Sequence, residues 1–259
     1  GAVIPASAVR GAEGYKCVII AAFPYFNGIS DGNISLYARG EDYHRVITKI
    51  LYGLTEILPK DGKHTVSADI SPIDERYTAC IAGLGVMGKN GLFISEKLGS
   101  FVFLGSIITT SELECEPIVE VKYCQNCGKC AKACPGGAIG KDGVDYTRCI
   151  SNVGQKKGEL TEEEQNLLKK SGMVFGCDAC QICCPYNTNL DITPIEAFKS
   201  KIINKLTPDD LSGLSNKTFK EKYERYAFSW RGVSVLRRNI GIIFGGSHGD
   251  GEPEHSKRG

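Results

Sequence analysis

The sequence predicts an α+β fold followed by a separate cysteine-rich domain. Two observations predict this arrangement. Short apolar runs alternate with a longer amphipathic helix in the first half of the chain, and closely spaced cysteines occupy the second half. We expect the α+β domain over residues 1–115 and the cysteine-rich domain over 116–192. A C-terminal segment over 193–259 is expected to pack back on the first domain.

The first predicted elements follow directly from apolar patterning. Residues 16–23 read KCVIIAAF, an apolar run ending at Pro24 that is typical of a buried strand. Residues 35–58 predict an amphipathic helix that ends before Pro59. The remaining predicted elements are a strand over 65–69, a helix over 72–81, two strands paired with each other over 92–95 and 101–109, and a capped helix over 161–170.

The cysteine-rich domain contains two motifs with metal-ligand spacing. Residues 124–135 read CQNCGKCAKACP, and residues 177–185 read CDACQICCP. The first motif has the C-x2-C-x2-C-x3-C-P spacing of bacterial ferredoxins, in which three cysteines bind one cluster and the fourth binds the other. Structural zinc needs only four ligands and explains neither of the two Cys-Pro endings. The sequence therefore predicts two [4Fe–4S] clusters.

Two such clusters need eight cysteine ligands. We expect the first set to be Cys124, Cys127, Cys130 and Cys184. The second set has three clear members: Cys134, Cys177 and Cys180. Its fourth ligand is left open between Cys149 and Cys183, and Cys149 is favoured because Cys183 adjoins a ligand of the other set. Packing roles are expected for the remaining three cysteines: Cys17, Cys80 and Cys115.

Asp69 stands at the end of the predicted strand over 65–69. A strand end can present a carboxylate for proton transfer. The spacing Asp-x-x-Pro-x-x-Glu over residues 69–75 is equally typical of a helix start. The residues alone leave these two interpretations even.

A glycine-rich stretch over residues 82–91 contains the G-x-G-x-x-G pattern as Gly83, Gly85 and Gly88. That pattern indicates a dinucleotide site only between a strand and a helix. Because the preceding segment looks helical, we expect no dinucleotide site here. Close backbone approach to another large cofactor remains compatible with the glycines.

The composition of the chain limits which binding partners and which cellular compartment can be expected for it. The 31 basic and 30 acidic residues nearly balance, so a nucleic-acid partner is neither indicated nor excluded. From Lys199 onward, however, 12 Lys and Arg stand against 7 Asp and Glu. No apolar run is long enough for a membrane span. Twelve cysteines without a recognisable export signal indicate metal binding in a reducing cytoplasm. A loose tail is expected from about residue 245.

Beyond these patterns, the chain resembles the epoxyqueuosine reductases, cobalamin- and iron–sulfur-dependent enzymes that complete queuosine in transfer RNA. The resemblance rests on both cysteine motifs and on the stretches 39–44 (RGEDYH), 69–75 (DISPIDE), 82–90 (AGLGVMGKN), 99–105 (GSFVFLG), 148–151 (RCIS), 176–181 (GCDACQ) and 231–237 (RGVSVLR). In this family the cysteine before Ile-Ser is a cluster ligand, so the resemblance assigns Cys149 to the second set.

The resemblance implies a fold and a mechanism. It implies a nitroreductase-related cobalamin-binding domain joined to a ferredoxin-like domain, with the corrin bound base-off in the cleft between them. Electrons would pass from an external low-potential donor through both clusters to cobalt. Asp69 would donate a proton, with a pKa raised by burial. The residues expected to contact cobalamin are Tyr37, Arg39, Tyr43, His44, Gly83, Gly85, Gly88, Lys89, Asn90 and Ser151.

The sequence also departs from the family in the part that recognises the substrate. The C-terminal helical repeat that helps to grip transfer RNA is not recognised here, so we interpret the chain as a short form. Transfer RNA would then have to bind the basic residues Lys217, Lys220, Lys222, Arg225, Arg231, Arg237 and Arg238. Two alternatives stay open: a cobalamin reductase for a small molecule or a protein-bound corrinoid, and a two-cluster electron carrier without chemistry of its own.

Overall fold

The computed structural model describes residues 1–245; apart from Gly245, the tail expected from about residue 245 lies outside the described residues. A four-stranded antiparallel sheet forms the centre of the first domain, with the strand order β1-β2-β6-β3. Two further short strands, β4 and β5, pair with each other. The strands are β1 (Ala2–Pro5), β2 (Cys17–Pro24), β3 (His64–Ser67), β4 (Val86–Met87), β5 (Phe93–Ile94) and β6 (Val102–Thr109).

One helix covers each face of this sheet. Helix α1 (Tyr43–Thr55) packs its buried Ile47 and Leu51 against Ile107 and Phe103 of β6. Helix α2 (Glu75–Ile81) packs on the other face, which carries Val18, Ile20 and Ile108. Strands with apolar residues on both faces need a cover on both sides, because exposed apolar area is costly in water.

Two of the predicted elements differ from the structure. The helix expected over 35–58 begins only at Tyr43, because the backbone N–H groups of Glu41 and Asp42 donate to Ala197 and Arg225 of the C-terminal segment. The prediction that strands over 92–95 and 101–109 pair with each other was wrong. Strand β5 pairs with β4, whereas β6 pairs with β2 and β3. A bridge between Ser95 and Gly99 closes the turn between the two predicted strands.

The cysteine-rich domain is built from short helices joined by loops. The predicted capping box at residues 161–164 is confirmed: the Thr161 hydroxyl accepts from the Glu164 N–H, and the Glu164 carboxylate accepts from the Thr161 N–H. The helices are α3 (Lys129–Ala133), α4 (Ile150–Gly154), α5 (Glu162–Ser171) and α6 (Ala179–Ile182).

The C-terminal segment packs on both of the preceding parts. Its helices are α7 (Pro208–Leu211), α8 (Asn216–Tyr223) and α9 (Val233–Phe244). Their buried residues share one apolar cluster with Ile34 of the first domain and Phe175 of the cysteine-rich domain. The segment therefore fixes these two parts against each other. Within residues 1–245, no helix is long and apolar enough to cross a membrane.

Candidate active site

A cleft of about 590 Å³ opens between the first domain and the cysteine-rich domain. Its lining combines apolar side chains with titratable ones. Tyr146 is the residue that the cysteine-rich domain contributes to the cleft. The lining residues are Tyr43, Asp69, Ile73, Asp74, Glu75, Arg76, Leu92, Phe93, Ser100, Val102, Phe103, Leu104 and Tyr146.

Asp69 presents its carboxylate to this cleft from the bend that follows β3. The side chain is 62% exposed, and the backbone has a φ of 68°, a left-handed conformation that is unusual for a residue other than glycine. The backbone N–H of Asp69 donates to Oε2 of Glu75 over 3.1 Å. This hydrogen bond helps to hold a conformation that is otherwise unfavourable by about 1–3 kcal/mol.

Two side chains at the start of α1 contact the same carboxylate oxygen. The Tyr43 hydroxyl donates to Oδ2 of Asp69 over 3.0 Å, and Nε2 of His44 lies 3.3 Å from that oxygen. Asp42, which caps α1, also lies 2.8 Å from Nδ1 of His44. The imidazole is therefore held between two carboxylates, and the helix cap fixes its orientation.

These contacts shift the pKa values of His44 and Asp69 in opposite directions. The hydrogen bond to Asp42, followed by that to Asp69, raises the pKa of His44 to about 9. The hydrogen bond from His44 lowers the pKa of Asp69, against the opposing effect of burial. The expectation of a raised pKa for Asp69 is therefore corrected. At neutral pH the imidazole is protonated and the carboxylate is ionised.

Glu75 accepts a hydrogen bond from the Asp69 backbone and also belongs to a network of serine hydroxyl groups. It is 9% exposed, and the Ser106 hydroxyl donates to its Oε1 over 3.2 Å. The hydroxyls of Ser67 and Ser106 lie 2.9 Å apart. Burial raises the pKa of Glu75 to about 7. From the sequence, Glu75 was noted only as part of the stretch 69–75. The feature that could have identified it is a carboxylate at the start of the helix that follows Asp69.

The structure brings the cysteines together in two groups. Burial raises the pKa of Cys184, and negative charge on Cys127, Cys130 and Cys124 raises it further. Burial likewise raises the pKa of Cys177 to about 11, with the charges of Cys149 and Cys134 adding to it. The neighbours of Cys184 thus include Cys124, Cys127 and Cys130, and those of Cys177 include Cys134 and Cys149. Among residues 1–245, no three Cys, His, Asp or Glu side chains converge closely enough for a single metal ion.

Cys183 lies on the side of the first group. Its thiol donates to the carbonyl of Cys180 over 3.6 Å, and the cysteines whose charges affect it are Cys130, Cys184 and Cys127. This position leaves Cys149 as the cysteine beside Cys134 and Cys177. The three cysteines expected to serve packing include one close pair, since Sγ of Cys17 and Sγ of Cys115 are 3.2 Å apart.

The residues predicted to contact cobalamin lie in different parts of the structure. Tyr43 lines the cleft, and His44 lies beside Asp69. The ring centroid of Tyr37 lies 6.3 Å from that of Tyr43, and the Ser151 hydroxyl accepts from Nε2 of Gln155 over 3.4 Å. Arg39, by contrast, is 3% exposed, and its guanidinium donates to the carbonyls of residues 30 and 34 and to Asn204. Because these internal acceptors occupy it, Arg39 braces the loop before α1 and does not face the cleft.

The glycine-rich stretch is explained by packing. Gly83 has a φ of 72° and ends α2 with a backbone hydrogen bond to Cys80. A Cβ at Gly85 would meet the Ile94 carbonyl at 2.1 Å. Lys89 and Asn90 line a small cavity together with four cysteines of the first group, Cys124, Cys127, Cys130 and Cys184. That cavity is distinct from the cleft that contains Asp69.

The edge of the cleft is tied to the cysteine-rich domain. The Ser100 hydroxyl donates to Oε1 of Gln181, the residue after Cys180, over 3.0 Å. The Ser100 N–H donates to Oδ1 of Asn187 over 2.7 Å. These hydrogen bonds fix the position of the cleft relative to the cysteines.

Several of the basic residues expected to bind nucleic acid have internal roles. Arg237 donates to the carbonyls of Leu211 and Leu214, and Arg238 donates to three carbonyls between residues 154 and 158. Arg225 pairs with Glu41 over 3.2 Å. Arg231 stacks on the ring of Trp230, which is 59% exposed. Among the expected set, Lys217, Lys220 and Lys222 lie exposed on α8, and Arg237 is exposed on α9.

Comparisons with known proteins agree with these features. Residues 8–70 match the family model "Epoxyqueuosine reductase QueG, DUF1730", and residues 123–187 match "4Fe-4S double cluster binding domain". The epoxyqueuosine reductase of Gloeobacter violaceus is 34% identical over 90% of this chain and 77% of that protein. That of Lactococcus garvieae is also 34% identical, over 84% of this chain. This chain spans 62% of the length of the Lactococcus protein.

A solved structure has the same fold. A crystal structure of an epoxyqueuosine reductase with an epoxyqueuosine-modified tRNA-Tyr stem loop superposes with a TM-score of 0.76 and 29% identity. The match covers 89% of this chain and 64% of that chain. The mixed α and β content and the domain for two [4Fe–4S] clusters are thereby established for this protein.

Proposed function

The chain belongs to the epoxyqueuosine reductase family, and on that premise we propose that it reduces the epoxide of epoxyqueuosine in transfer RNA to the alkene of queuosine. One observation carries the proposal. Asp69 faces an open cleft, and Tyr43, His44 and Glu75 hold it there. A pure electron carrier would need the cysteines but has no use for this arrangement.

The proposed cofactor of the cleft is cobalamin, bound base-off. The apolar residues of the lining, which include Leu92, Phe93 and Val102, suit the face of a corrin. Polar groups such as Ser100 and Tyr146 suit its amide side chains. When bound, cobalamin supplies the low-valent cobalt that reduces the epoxide carbon. The cleft thus combines a surface for a flat macrocycle with a proton-transfer group at its edge.

The overall reaction consumes two electrons and two protons. Both carbon–oxygen bonds of the epoxide break, a carbon–carbon double bond forms, and the oxygen leaves as water. The two electrons come from an external low-potential donor, and the two clusters would relay them. The proposed ligands are Cys124, Cys127, Cys130 and Cys184 for one cluster and Cys134, Cys149, Cys177 and Cys180 for the other.

One of the two protons reaches the leaving oxygen through the pair of His44 and Asp69, and the other comes from solvent. At neutral pH, His44 carries the proton because its pKa lies near 9. Asp69 is the member of the pair that faces the cleft, so its carboxylate receives the proton from His44 and passes it to the substrate oxygen. Tyr43 keeps the carboxylate oriented during this transfer.

Transfer RNA is the proposed partner, with α8 as a contact surface. Lys217, Lys220 and Lys222 lie exposed along that helix, and lysine side chains bind phosphates. The need to keep twelve cysteines reduced makes the cytoplasm the proposed compartment.

The experiment that tests the proposal uses protein reconstituted anaerobically with both clusters and cobalamin. Reduction is measured on an epoxyqueuosine-containing anticodon stem loop and on the free nucleoside. We expect turnover of the stem loop and its loss in Asp69→Asn, with Asp61→Asn as the matched surface control. Failure of the fully loaded protein on both substrates would overturn the assignment.

A second candidate is a reductase of the same construction that acts on a small molecule or a protein-bound corrinoid. It is favoured by the internal use of Arg225, Arg237 and Arg238, which reduces the basic surface. Its distinguishing result would be turnover of such a substrate that is lost in Asp69→Asn but unaffected by charge reversal on α8.

A further inference from the structure

We infer that Glu75 is a second proton donor of the cleft and that a chain of three serine hydroxyls recharges it from solvent. The inference rests on the proposed function, because it assigns a route to the second proton that the reduction of an epoxide consumes. One proton reaches the oxygen through His44 and Asp69, and the other passes through Glu75.

Glu75 reaches the cleft beside Asp69. Both residues line the cleft, and Oε2 of Glu75 lies 3.1 Å from the backbone nitrogen of Asp69. Only 9% of Glu75 is exposed, so its carboxyl group is largely enclosed by protein. Its hydrogen-bond partners within residues 1–245 are neutral: the Asp69 N–H and the Ser106 hydroxyl. These partners leave Glu75 able to take up and release a proton.

A chain of hydroxyl groups connects Glu75 to the protein surface. The Ser106 hydroxyl, on β6, donates to Oε1 of Glu75 over 3.2 Å. Oγ of Ser67, on β3, lies 2.9 Å from Oγ of Ser106 and 3.0 Å from Oγ of Ser71. Ser106 and Ser67 are buried, whereas Ser71 is half-buried and forms the outer end of the chain.

This chain can conduct protons because of the chemistry of its members. A hydroxyl group donates and accepts at once, and its hydrogen rotates between partners. Each serine can therefore accept a proton from one neighbour and pass its own proton to the next. Ligands that fill a cleft exclude water from it. The serine chain then provides a route to Glu75 that does not cross the cleft.

The two neighbouring carboxyl groups differ in protonation. Burial, together with the negative charges of Asp69 and Asp74, raises the pKa of Glu75 to about 7. The hydrogen bond from His44 instead lowers the pKa of Asp69. Carboxyl groups whose pKa values are driven apart in this way have separate acid and base roles in many enzymes. The other titratable groups that line the cleft are Tyr43, Arg76 and Tyr146.

The second proton completes the balance of the reaction. The first proton, passed on by Asp69, turns the epoxide oxygen into a hydroxyl group as one carbon–oxygen bond breaks. The O–H bond of Glu75 then breaks, and its proton joins this hydroxyl group, which leaves as water with the electron pair of the second carbon–oxygen bond. The two electrons come from the external donor. The Glu75 carboxylate regains a proton from Ser106, and the chain takes one from solvent at Ser71.

The first test needs neither cobalamin nor RNA. Infrared difference spectra of cluster-loaded protein between pH 6 and pH 9 follow the C=O stretch of protonated carboxylic acids. We expect a band with a midpoint near pH 7 in the parent protein and in the exposed control Glu56→Gln, but not in Glu75→Gln. A parent protein without this band would overturn the inference. If Glu75→Gln does not fold, ¹³C-labelled glutamate in the parent replaces it, and a band that does not shift would overturn the inference.

The second test is turnover of an epoxyqueuosine stem loop by protein loaded with both clusters and cobalamin. General acid–base catalysis contributes about 10²–10⁴-fold, so Glu75→Gln should lower kcat by about a hundredfold or more and change KM little. The decline of kcat above pH 7 in the parent should be absent from this variant. Protection of the Asp69 amide from hydrogen exchange should persist, because glutamine keeps an acceptor. This combination separates loss of a proton donor from loss of the bend.

Ser106→Ala tests the chain, with Ser111→Ala as its matched control. Ser111 is also buried, and its hydroxyl has no hydrogen-bond partner in the described part of the chain. We expect Ser106→Ala to lower kcat while the infrared band persists, and Ser111→Ala to change neither. Full turnover by Glu75→Gln or by Ser106→Ala would overturn the inference and leave the proposed reduction standing. A parent protein without turnover would instead contradict the proposed function, and the infrared titration would then decide the inference.

Discussion

The backbone N–H of Asp69 donates a hydrogen bond of 3.1 Å to the carboxylate of Glu75, which is itself held by Ser106. The residue that faces the cleft thus depends on a buried acid for its backbone conformation. The side chain of Asp69 is held independently by Tyr43 and His44. The backbone and side-chain contacts can therefore be tested separately.

Removal of the Glu75 carboxylate should loosen the Asp69 bend. Above pH 7, where Glu75 is ionised, a hydrogen bond to this charged group contributes about 1.5–3 kcal/mol, which corresponds to about tenfold or more in local opening. We expect Glu75→Ala to speed hydrogen exchange of the Asp69 amide by at least about tenfold and to lower kcat more than it changes KM. Glu75→Gln, which retains a carbonyl acceptor, is the control and should restore much of the protection. An unchanged rate of hydrogen exchange at the Asp69 amide in Glu75→Ala would show that the bend is stable without the Glu75 carboxylate.

The pair of His44 and Asp69 should make both activity and stability fall at alkaline pH. The pKa of His44 rises from 6.5 to about 9 in the folded protein. Its contribution to stability is therefore fully present below pH 6.5 and is lost as the pH rises through 9. Urea unfolding from pH 6 to pH 10 should show this loss in the parent protein and not in His44→Gln. Activity should fall over the same range, and an identical pH dependence of the two proteins would exclude His44 as the proton source.

The cysteine assignments predict distinct iron contents. Two complete clusters hold about eight iron atoms per chain. We expect Cys149→Ala to retain about four after anaerobic reconstitution, whereas Cys183→Ala and Cys17→Ala should retain about eight. The measurement is iron and acid-labile sulfide per chain. A full iron content in Cys149→Ala together with an iron deficit in Cys183→Ala would identify Cys183, and not Cys149, as the cluster ligand.

Charge reversal on α8 should weaken binding of an anticodon stem loop. Because each phosphate contact releases counterions, Lys220→Glu with Lys222→Glu should lower the affinity and make its dependence on salt less steep. Lys49→Glu with Lys60→Glu, which reverses two charges outside the C-terminal segment, is the control with the same net charge. Equal affinities for both double variants across the salt series would place the RNA contact elsewhere.

A methyl group at Gly88 should disturb the loop that approaches the clusters. The clash with Asn90 and Ile94 predicts that Gly88→Ala is destabilised by about 1–3 kcal/mol in denaturant unfolding. A Cβ added at Gly53, in α1, would meet no atom within 4 Å, so Gly53→Ala should be neutral or stabilising by up to about 1 kcal/mol. Similar stabilities of the two variants would argue against close packing at Gly88.

Features that depend on neighbours in the chain could be predicted from the residues alone. Cluster-binding motifs are set by the spacing of cysteines, and a capping box by residues 161 and 164, so both could be predicted. The buried strand at 16–23 also followed from local patterning, and β2 occupies 17–24. The strand Ala2–Pro5 was missed, because so short a run acquires its structure only from pairing with β2.

Features that depend on residues far apart in the chain emerged only from the folded structure. Helix α1 starts late because the C-terminal segment accepts its preceding N–H groups. The pKa of Asp69 is lowered because folding brings this residue to His44, 25 residues away, and this contact outweighs the effect of burial. Lys89 reaches Cys124 across 35 residues. Hydrogen bonds and pKa values of this kind arise from three-dimensional proximity, which residue spacing alone does not encode.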